Sequence, residues 1–400
     1  MAELVVTGTD ASDDGARAPY LRWFRATAVG VSLVFLIFAV WALQANQFWP
    51  KGADYVSFWA AGRLALAGHA ELAYDTTAHA VVELTAGHAR GLLPFAYPPP
   101  FLAVVAPAAV FGYAAAFCVW VAATGAFYAW AARRVVALPY AFAMPPAYIN
   151  LRTGQTGFLM TGIFVAGLTL IEANPWLAGA ILGLMLFKPQ LALLLPIAML
   201  AGREWRVIGG AILSVCALLL LGLLLFGWSS YRGFFEMMPQ VAALLRDGRL
   251  PSNALASAFA LARSAGLPQS GALLIHALVA LAATVLTARA WWLRTDERVP
   301  ILAAATMLIP PYIFTYDALV LIIPLGWMIA QRRYPFAIAA VWGCMLLPII
   351  QYFTPLACPN LISLGAAICL WVLHSHRRSP RRKAQQSPRE PRAPAEMSAS

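Results

Sequence analysis

The sequence predicts an all-α, polytopic membrane protein, and three observations carry that reading. Of its 400 residues 61% are hydrophobic and only 11% charged, where a soluble domain carries about 25% charged residues. Apolar segments recur along nearly the whole length, so one bundle is expected rather than soluble domains on an anchor. Lys and Arg cluster where alternate turns of such a bundle would fall if its N-terminus lies in the cytoplasm. The net charge of +11 would by itself suggest nucleic acid. However, seven Lys/Arg against two Glu fall from Arg377 onward in a Ser/Pro-rich stretch. That stretch reads as a disordered cytoplasmic tail whose partner is membrane lipid, not nucleic acid.

In chain order, residues 1–24 read as a cytoplasmic segment, 25–376 as one transmembrane domain and 377–400 as the tail. The first span, Ala26 to Pro50, carries no charge and follows Arg17, Arg22 and Arg25. It is too long and starts too far from the terminus for a cleaved signal peptide, so it is expected to be retained. Further spans are expected near 113–133, 138–150, 156–172, 175–187, 190–202, 205–228, 270–291, 299–313, 316–331, 334–352 and 358–375, about twelve in all. With these, the clusters Arg133-Arg134, Arg203 and Arg206, Arg294 to Arg298, Arg332-Arg333 and Arg377 onward fall on the inner side. Several spans are too short to cross unaided, which suits broken or tilted helices buried in protein.

Two segments, 51–112 and 227–269, are left as large outer loops. In the first, Tyr55, Phe58, Trp59, Gly62 and Leu66 recur at helical spacing and predict an amphipathic helix along the membrane surface. A second helix is expected over Thr76 to His88. The run FAYPPPFLAVVAPAAVFGY then reads as an interfacial or re-entrant helix whose entry is set by Pro98 to Pro100. Residues 251–266, PSNALASAFALARSAG, read as a helix packed on the bundle. The internal repeat that marks many transporters is not visible. The five cysteines are scattered, with neither disulfide nor metal spacing.

Acids gather at outer helix ends: Asp54, Asp75 and Asp317. Each suits an N-cap, a position that favours Asp by about 1 kcal/mol. Asp54 also stands beside Tyr55, Phe58 and Trp59, a carboxylate next to ring surface, so it reads equally well as a cap or as a base. His69, His79 and His88 lie ten and nine residues apart, which is not the i, i+4 spacing of a helical metal pair. They read as interfacial polar residues.

The runs DYVSFWAAGRLALAGHAELAYD, FAYPPPFLAVVAP, NLRTGQTGFLM, FKPQLALLLP and IPPYIFTYDALVLIIP resemble, in that order, successive blocks of glycosyltransferase family 87. That family is a branch of the GT-C membrane glycosyltransferases and includes polyprenol-phosphate-mannose-dependent α-mannosyltransferases. The blocks extend from Asp54 to about Pro324. The resemblance implies a GT-C-type bundle in a prokaryotic plasma membrane with a helical first extracytoplasmic loop. It further implies a polyprenyl-phosphate sugar donor, a lipid or glycan acceptor on the extracytoplasmic side, transfer of a hexose such as mannose with inversion, and an essential acid in the first outer loop. Asp54 sits where that acid belongs.

Such a transfer needs a base for the acceptor proton, and a carboxylate suits the role. An inverting transfer forms no covalent sugar intermediate, so one carboxylate can suffice. The departing phosphate needs cations. Lys188 and Arg152 stand at outer ends of spans, against the positive-inside trend, where charge is costly unless paired or used. They are expected as phosphate contacts, helped by Gln155 or Asn150; the plain alternatives are a snorkelling Lys188 and an Arg152 in a turn. Tyr55 and Trp59 are expected to stack the sugar, and Asp317 with Tyr316 to bind a sugar hydroxyl or the acceptor. A single phosphate makes little demand on a divalent cation, so neither metal nor cofactor is expected. A lipid-linked sugar flippase is the alternative; it needs no base and predicts a polar path along several helices, whereas here the acids gather at helix ends.

Overall fold

The computed structural model describes residues 26–35, 37, 54–87, 93–246, 254–332, 334–350 and 359–377. Among them all regular structure is helical, save one isolated bridge between Leu255 and Phe314. The first predicted span is represented by α1 (Ala26–Phe35). The first predicted loop holds α2 (Tyr55–Leu66), α3 (Thr76–Thr85) and α4 (Leu102–Ala109). There follow α5 (Tyr113–Ala132), α6 (Leu138–Phe142), α7 (Pro145–Thr153), α8 (Gly157–Leu170), α9 (Pro175–Gly183), α10 (Leu195–Gly202) and α11 (Trp205–Arg246). The chain closes with α12 (Ala258–Ser264), α13 (Gln269–Trp292), α14 (Arg298–Thr306), α15 (Ile322–Ala330), α16 (Pro335–Ile350) and α17 (Ile362–Arg377).

Three helices, α5, α11 and α13, are long and apolar enough to cross a membrane, and the chain is a membrane protein. Leu213, Leu224, Leu274, Leu278 and Leu281 lie exposed on α11 and α13, as side chains facing lipid would. The remaining apolar helices are shorter, and proline accounts for many of the interruptions. Pro145 and Pro146 open α7 just after α6 ends. Beyond α9 the chain tightens into a 3-10 turn, Leu184–Phe187, and Pro189 starts another, Pro189–Ala192. Lys188 is left between them in a non-helical conformation. A third 3-10 run, Thr315–Leu321, precedes α15 and carries Asp317. Broken backbone of this kind is tolerated in a membrane protein only where protein or a cavity surrounds it. Here it abuts the centre: α8 is buried from Met160 to Leu168 and α14 over its whole length.

The first predicted loop departs from expectation in one respect. Rather than lying on a surface, α2 is buried from Tyr55 to Gly62 and again at Leu64, with Arg63 exposed. Of the residues read as an amphipathic stripe, Tyr55, Phe58, Trp59 and Gly62 are buried in protein and only Leu66 is exposed. Small side chains permit this: a methyl group on Gly62 would come within 2.7 Å of Ala109 Cβ on α4. The proline run behaves as expected, with Pro99–Phe101 turning directly into α4.

The second predicted loop opens with a continuation of α11, which bends at Gly227 (φ 72°, ψ 169°) and runs on to Arg246. The far half packs on the first loop, where the Tyr74 and Phe234 rings meet at 5.8 Å. Three helices end in an unusual way. The left-handed corners after α10, α13 and α15, a position glycine normally takes, are held by Arg203, Arg294 and Arg332 with φ of 56°, 48° and 50°.

Candidate active site

The three candidate acids look alike in sequence and differ in space. Asp75 is a cap: its Oδ1 accepts from the backbone N–H groups of Thr77 (2.9 Å) and Ala78 (2.8 Å) at the start of α3. Asp75→Ala is therefore expected to cost about 1 kcal/mol in thermal unfolding and to leave activity unchanged. Asp54 precedes α2 in the same way, yet its side chain makes no cap hydrogen bond. Instead Gln155 Nε2 donates to Asp54 Oδ2 at 2.8 Å, across 101 residues of sequence.

The local backbone explains how Gln155 gets there. Residue 154 ends α7 with φ of 65°, and a Cβ on it would lie 2.7 Å from Tyr55 Cβ and 2.9 Å from the Phe117 ring. Only glycine satisfies both demands, and it lets the α7–α8 turn press against the first residue of α2. Trp120 Nε1 holds that turn by donating to the Gly154 carbonyl at 2.8 Å. On the other side of the turn lies Asn150, fully buried. Its Oδ1 accepts from Gly157 N at 2.8 Å, and its Nδ2 donates to the carbonyls of Pro146 (2.9 Å) and Tyr316 (3.0 Å). With both ends of its amide engaged by backbone, Asn150 ties α7, α8 and the Thr315–Leu321 run together. The substrate contact expected of it gives way to this scaffold role.

Lys188 and Asp317 meet at these breaks. Lys188 Nζ donates to Asp317 Oδ1 at 2.6 Å, and both side chains are almost wholly buried. The ammonium also stands 4.4 Å from the centre of the Tyr316 ring, in range for a cation–π contact. Asp317 Oδ2 accepts from Phe314 N at 3.3 Å. Asp54 is near enough to Lys188 to act on it electrostatically. A buried pair of this kind contributes little net stability, because the desolvation of both ions opposes their attraction; its value lies in holding charge where water does not reach.

One residue of this cluster escaped the sequence reading. Tyr97, immediately before the proline run, places its phenol 3.2 Å from Thr156 Oγ1, next to Gln155. Burial holds this phenol well above its usual pKa range; the bond to Thr156 opposes the shift, and the charges of Asp317 and Asp54 add to it. The group therefore keeps its proton at neutral pH. The signal was present in the Tyr97-Pro98 pair, since a residue before proline is driven into extended backbone and so cannot be absorbed into the helix that follows.

The other expected residues are placed differently. Tyr55 is fully buried, its ring packed at 5.7 to 6.2 Å from those of Phe58, Tyr113, Phe117 and Trp120. Trp59 is buried too and donates Nε1 to the Phe111 carbonyl at 3.1 Å. The ring surface read beside Asp54 is thus a packed aromatic wall behind it rather than an open platform. Gln155, expected at a phosphate, has its amide nitrogen on Asp54, while its Oε1 is buried without a hydrogen-bond partner. Arg152 lies half-buried in the last turn of α7. His79, read as interfacial, is a buried residue of α3 that faces Ser57 of α2; His69 is exposed. His88 lies outside the described residues. So does Cys358; Cys118, Cys216, Cys344 and Cys369 are free thiols.

Compared with known proteins, residues 95–311 match the family model described as glycosyltransferase family 87. The match takes in Tyr97, Asn150, Gln155 and Lys188 and stops short of Asp54 and Asp317. No curated protein and no solved structure matches the chain.

Proposed function

The chain belongs to glycosyltransferase family 87 and is a membrane glycosyltransferase; from that premise we propose that it moves a hexose, mannose in our reading, from a polyprenyl-phosphate donor to a hydroxyl of a lipid or glycan acceptor, with inversion. The observation that carries this reading is Asp54, a carboxylate at a helix start that caps nothing with its side chain and is steadied by Gln155, within electrostatic reach of the buried Lys188 ammonium. We place the bundle in the GT-C class, with about twelve spans, in a prokaryotic plasma membrane. Both termini then lie in the cytoplasm and the site opens on the extracytoplasmic side. Residues 25–376 form the transmembrane domain in this reading, between a short cytoplasmic segment and a basic cytoplasmic tail.

Asp54 is the general base. As the acceptor oxygen attacks the anomeric carbon, its proton passes to the Asp54 carboxylate, while the bond from that carbon to the phosphate oxygen breaks and the electron pair leaves with the lipid phosphate. Gln155 holds one carboxylate oxygen and so aims the other. Lys188 meets the departing charge. An ammonium has three N–H donors, and Asp317 takes one of them, so the phosphate is received on the others. Arg152 is a second cation for the phosphate. Tyr97, protonated, and the Asp317–Tyr316 edge are placed to bind sugar or acceptor hydroxyls.

The test is transfer by the purified protein in lipid, supplied in parallel with labelled polyprenyl-phosphate mannose and with a nucleotide-activated mannose. Label is expected in an acceptor only from the lipid-linked donor, with the anomeric configuration inverted by NMR. Label taken directly from the nucleotide sugar would overturn the donor assignment, and retained configuration the single-carboxylate chemistry.

A further inference from the structure

The reaction outlined above leaves unused a buried polar chain behind Asp54. His79 and Glu83 sit one turn apart on α3, each about 1% exposed. His79 Nε2 lies 3.4 Å from Glu83 Oε1 and 3.3 Å from Ser57 Oγ, and Ser57 is in the first turn of α2, the helix that Asp54 precedes. On the opposite side both Glu83 oxygens accept from the backbone N–H of Leu93, at 3.3 and 3.2 Å. Leu93 lies four residues before Tyr97, on the non-helical stretch that carries it. The chain Ser57, His79, Glu83, Leu93 therefore spans from the element that carries Asp54 to the one that carries Tyr97.

Burying such a pair is no gain in stability, since apolar side chains of similar size are often as good or better in its place. What hydrogen bonds add is direction. Apolar surfaces tolerate sliding and repacking, whereas polar contacts at these distances narrow the relative placements of the elements they join; His79 makes both of its contacts through Nε2, and its Nδ1 is buried without a hydrogen-bond partner. We propose that His79 and Glu83 are positioning residues, a polar strut that fixes the Asp54 end of α2 against the segment bearing Tyr97. This rests on the role given to Asp54 above. Neither residue touches substrate in this proposal; both act through Asp54 and Tyr97.

The test replaces the strut by apolar side chains, H79L with E83M, and compares it with the conservative E83Q, which keeps an acceptor for Leu93. Each is read by kcat, donor KM and thermal unfolding. Each is also read by the distance distribution between spin labels at R63C and A96C, two exposed positions, in a background whose five cysteines are replaced by alanine. The double variant is expected to unfold at or above the wild-type temperature, with an unchanged KM, a broadened distance distribution and a kcat lower by about tenfold to a hundredfold. E83Q is expected to stay within about threefold of wild type with a narrow distribution. A double variant that keeps its kcat, keeps a narrow distribution or fails to fold overturns the proposal, as does an E83Q as impaired as the double variant. Should wild type transfer no sugar at all, the reaction proposed above falls, and the distance measurement still decides the strut.

Discussion

Asp54→Asn is expected to lower sugar transfer by about a hundredfold to ten-thousandfold, the range that general base catalysis contributes, while the protein folds and unfolds as before. The substitution is unusually clean at this position. Because the Asp54 side chain caps no backbone group of α2, its charge is not needed to start the helix. The amide oxygen of Asn accepts from Gln155 as the carboxylate does, so the bond at 2.8 Å survives. What is lost is the ability to take a proton. The comparison to make is kcat under saturating donor and acceptor, with thermal unfolding as the control. A variant that transfers within a few fold of wild type would retire Asp54 as the base and leave Asp317 to be tried in the same way.

Lys188 should behave quite differently, because on the reading proposed above the fold and the chemistry share one ammonium. Lys188→Met leaves the Asp317 carboxylate buried without its partner, and breaking such a pair from one side costs about 3–5 kcal/mol. A loss of activity in that variant alone says nothing about phosphate. Replacing both members, Lys188→Met with Asp317→Leu, removes the stranded charge. Stability is expected to return to within about 1–2 kcal/mol of wild type or to exceed it, yet transfer should stay absent and the donor KM, if measurable, should rise. Thermal unfolding in detergent and donor-dependent kinetics separate the two effects. Full transfer in the stable double variant would show that the ammonium serves the fold and not the leaving group.

Much of the architecture could be read from the sequence because it is written locally. Charge-free runs, prolines and clustered arginines mark where helices begin and stop: the gap expected between 187 and 190 is where the helix breaks around Lys188, whereas the span expected over 138–150 is itself cut at Pro145. The environment of α2 was harder to read. Helical spacing of Tyr55, Phe58 and Trp59 says that one face is apolar, but lipid and protein offer such a face the same free energy, so the periodicity does not distinguish a surface helix from a buried one. The site was legible residue by residue and not as a set of contacts. Asp54, Gln155, Lys188 and Asp317 all stand out, and ring neighbours and the family resemblance favour Asp54 over Asp75, although as helix starts the two read alike. The bonds that tell them apart join residues 101 and 129 positions apart, and no local pattern encodes such a pairing. Asn150 shows the limit from the other side: a polar residue near the end of a helix is as easily a scaffold bolt as a ligand, and its bond to Tyr316 is not written locally.

The arginines at the three left-handed corners bear on how the protein is made. An L-residue in that conformation costs about 1–2 kcal/mol, so glycine at 203, 294 and 332 would relieve the folded protein at each corner. On the cytoplasmic placement proposed above, the residue that terminates each helix is also the charge that keeps that end from being drawn across the bilayer. Stop and address are then one side chain. During insertion, a nascent helix that ends in arginine is oriented as soon as it is finished, before any neighbour has arrived to pack against it, whereas one ending in glycine would wait on later segments. A chain optimised only for the stability of its finished state would be easier to invert on the way there.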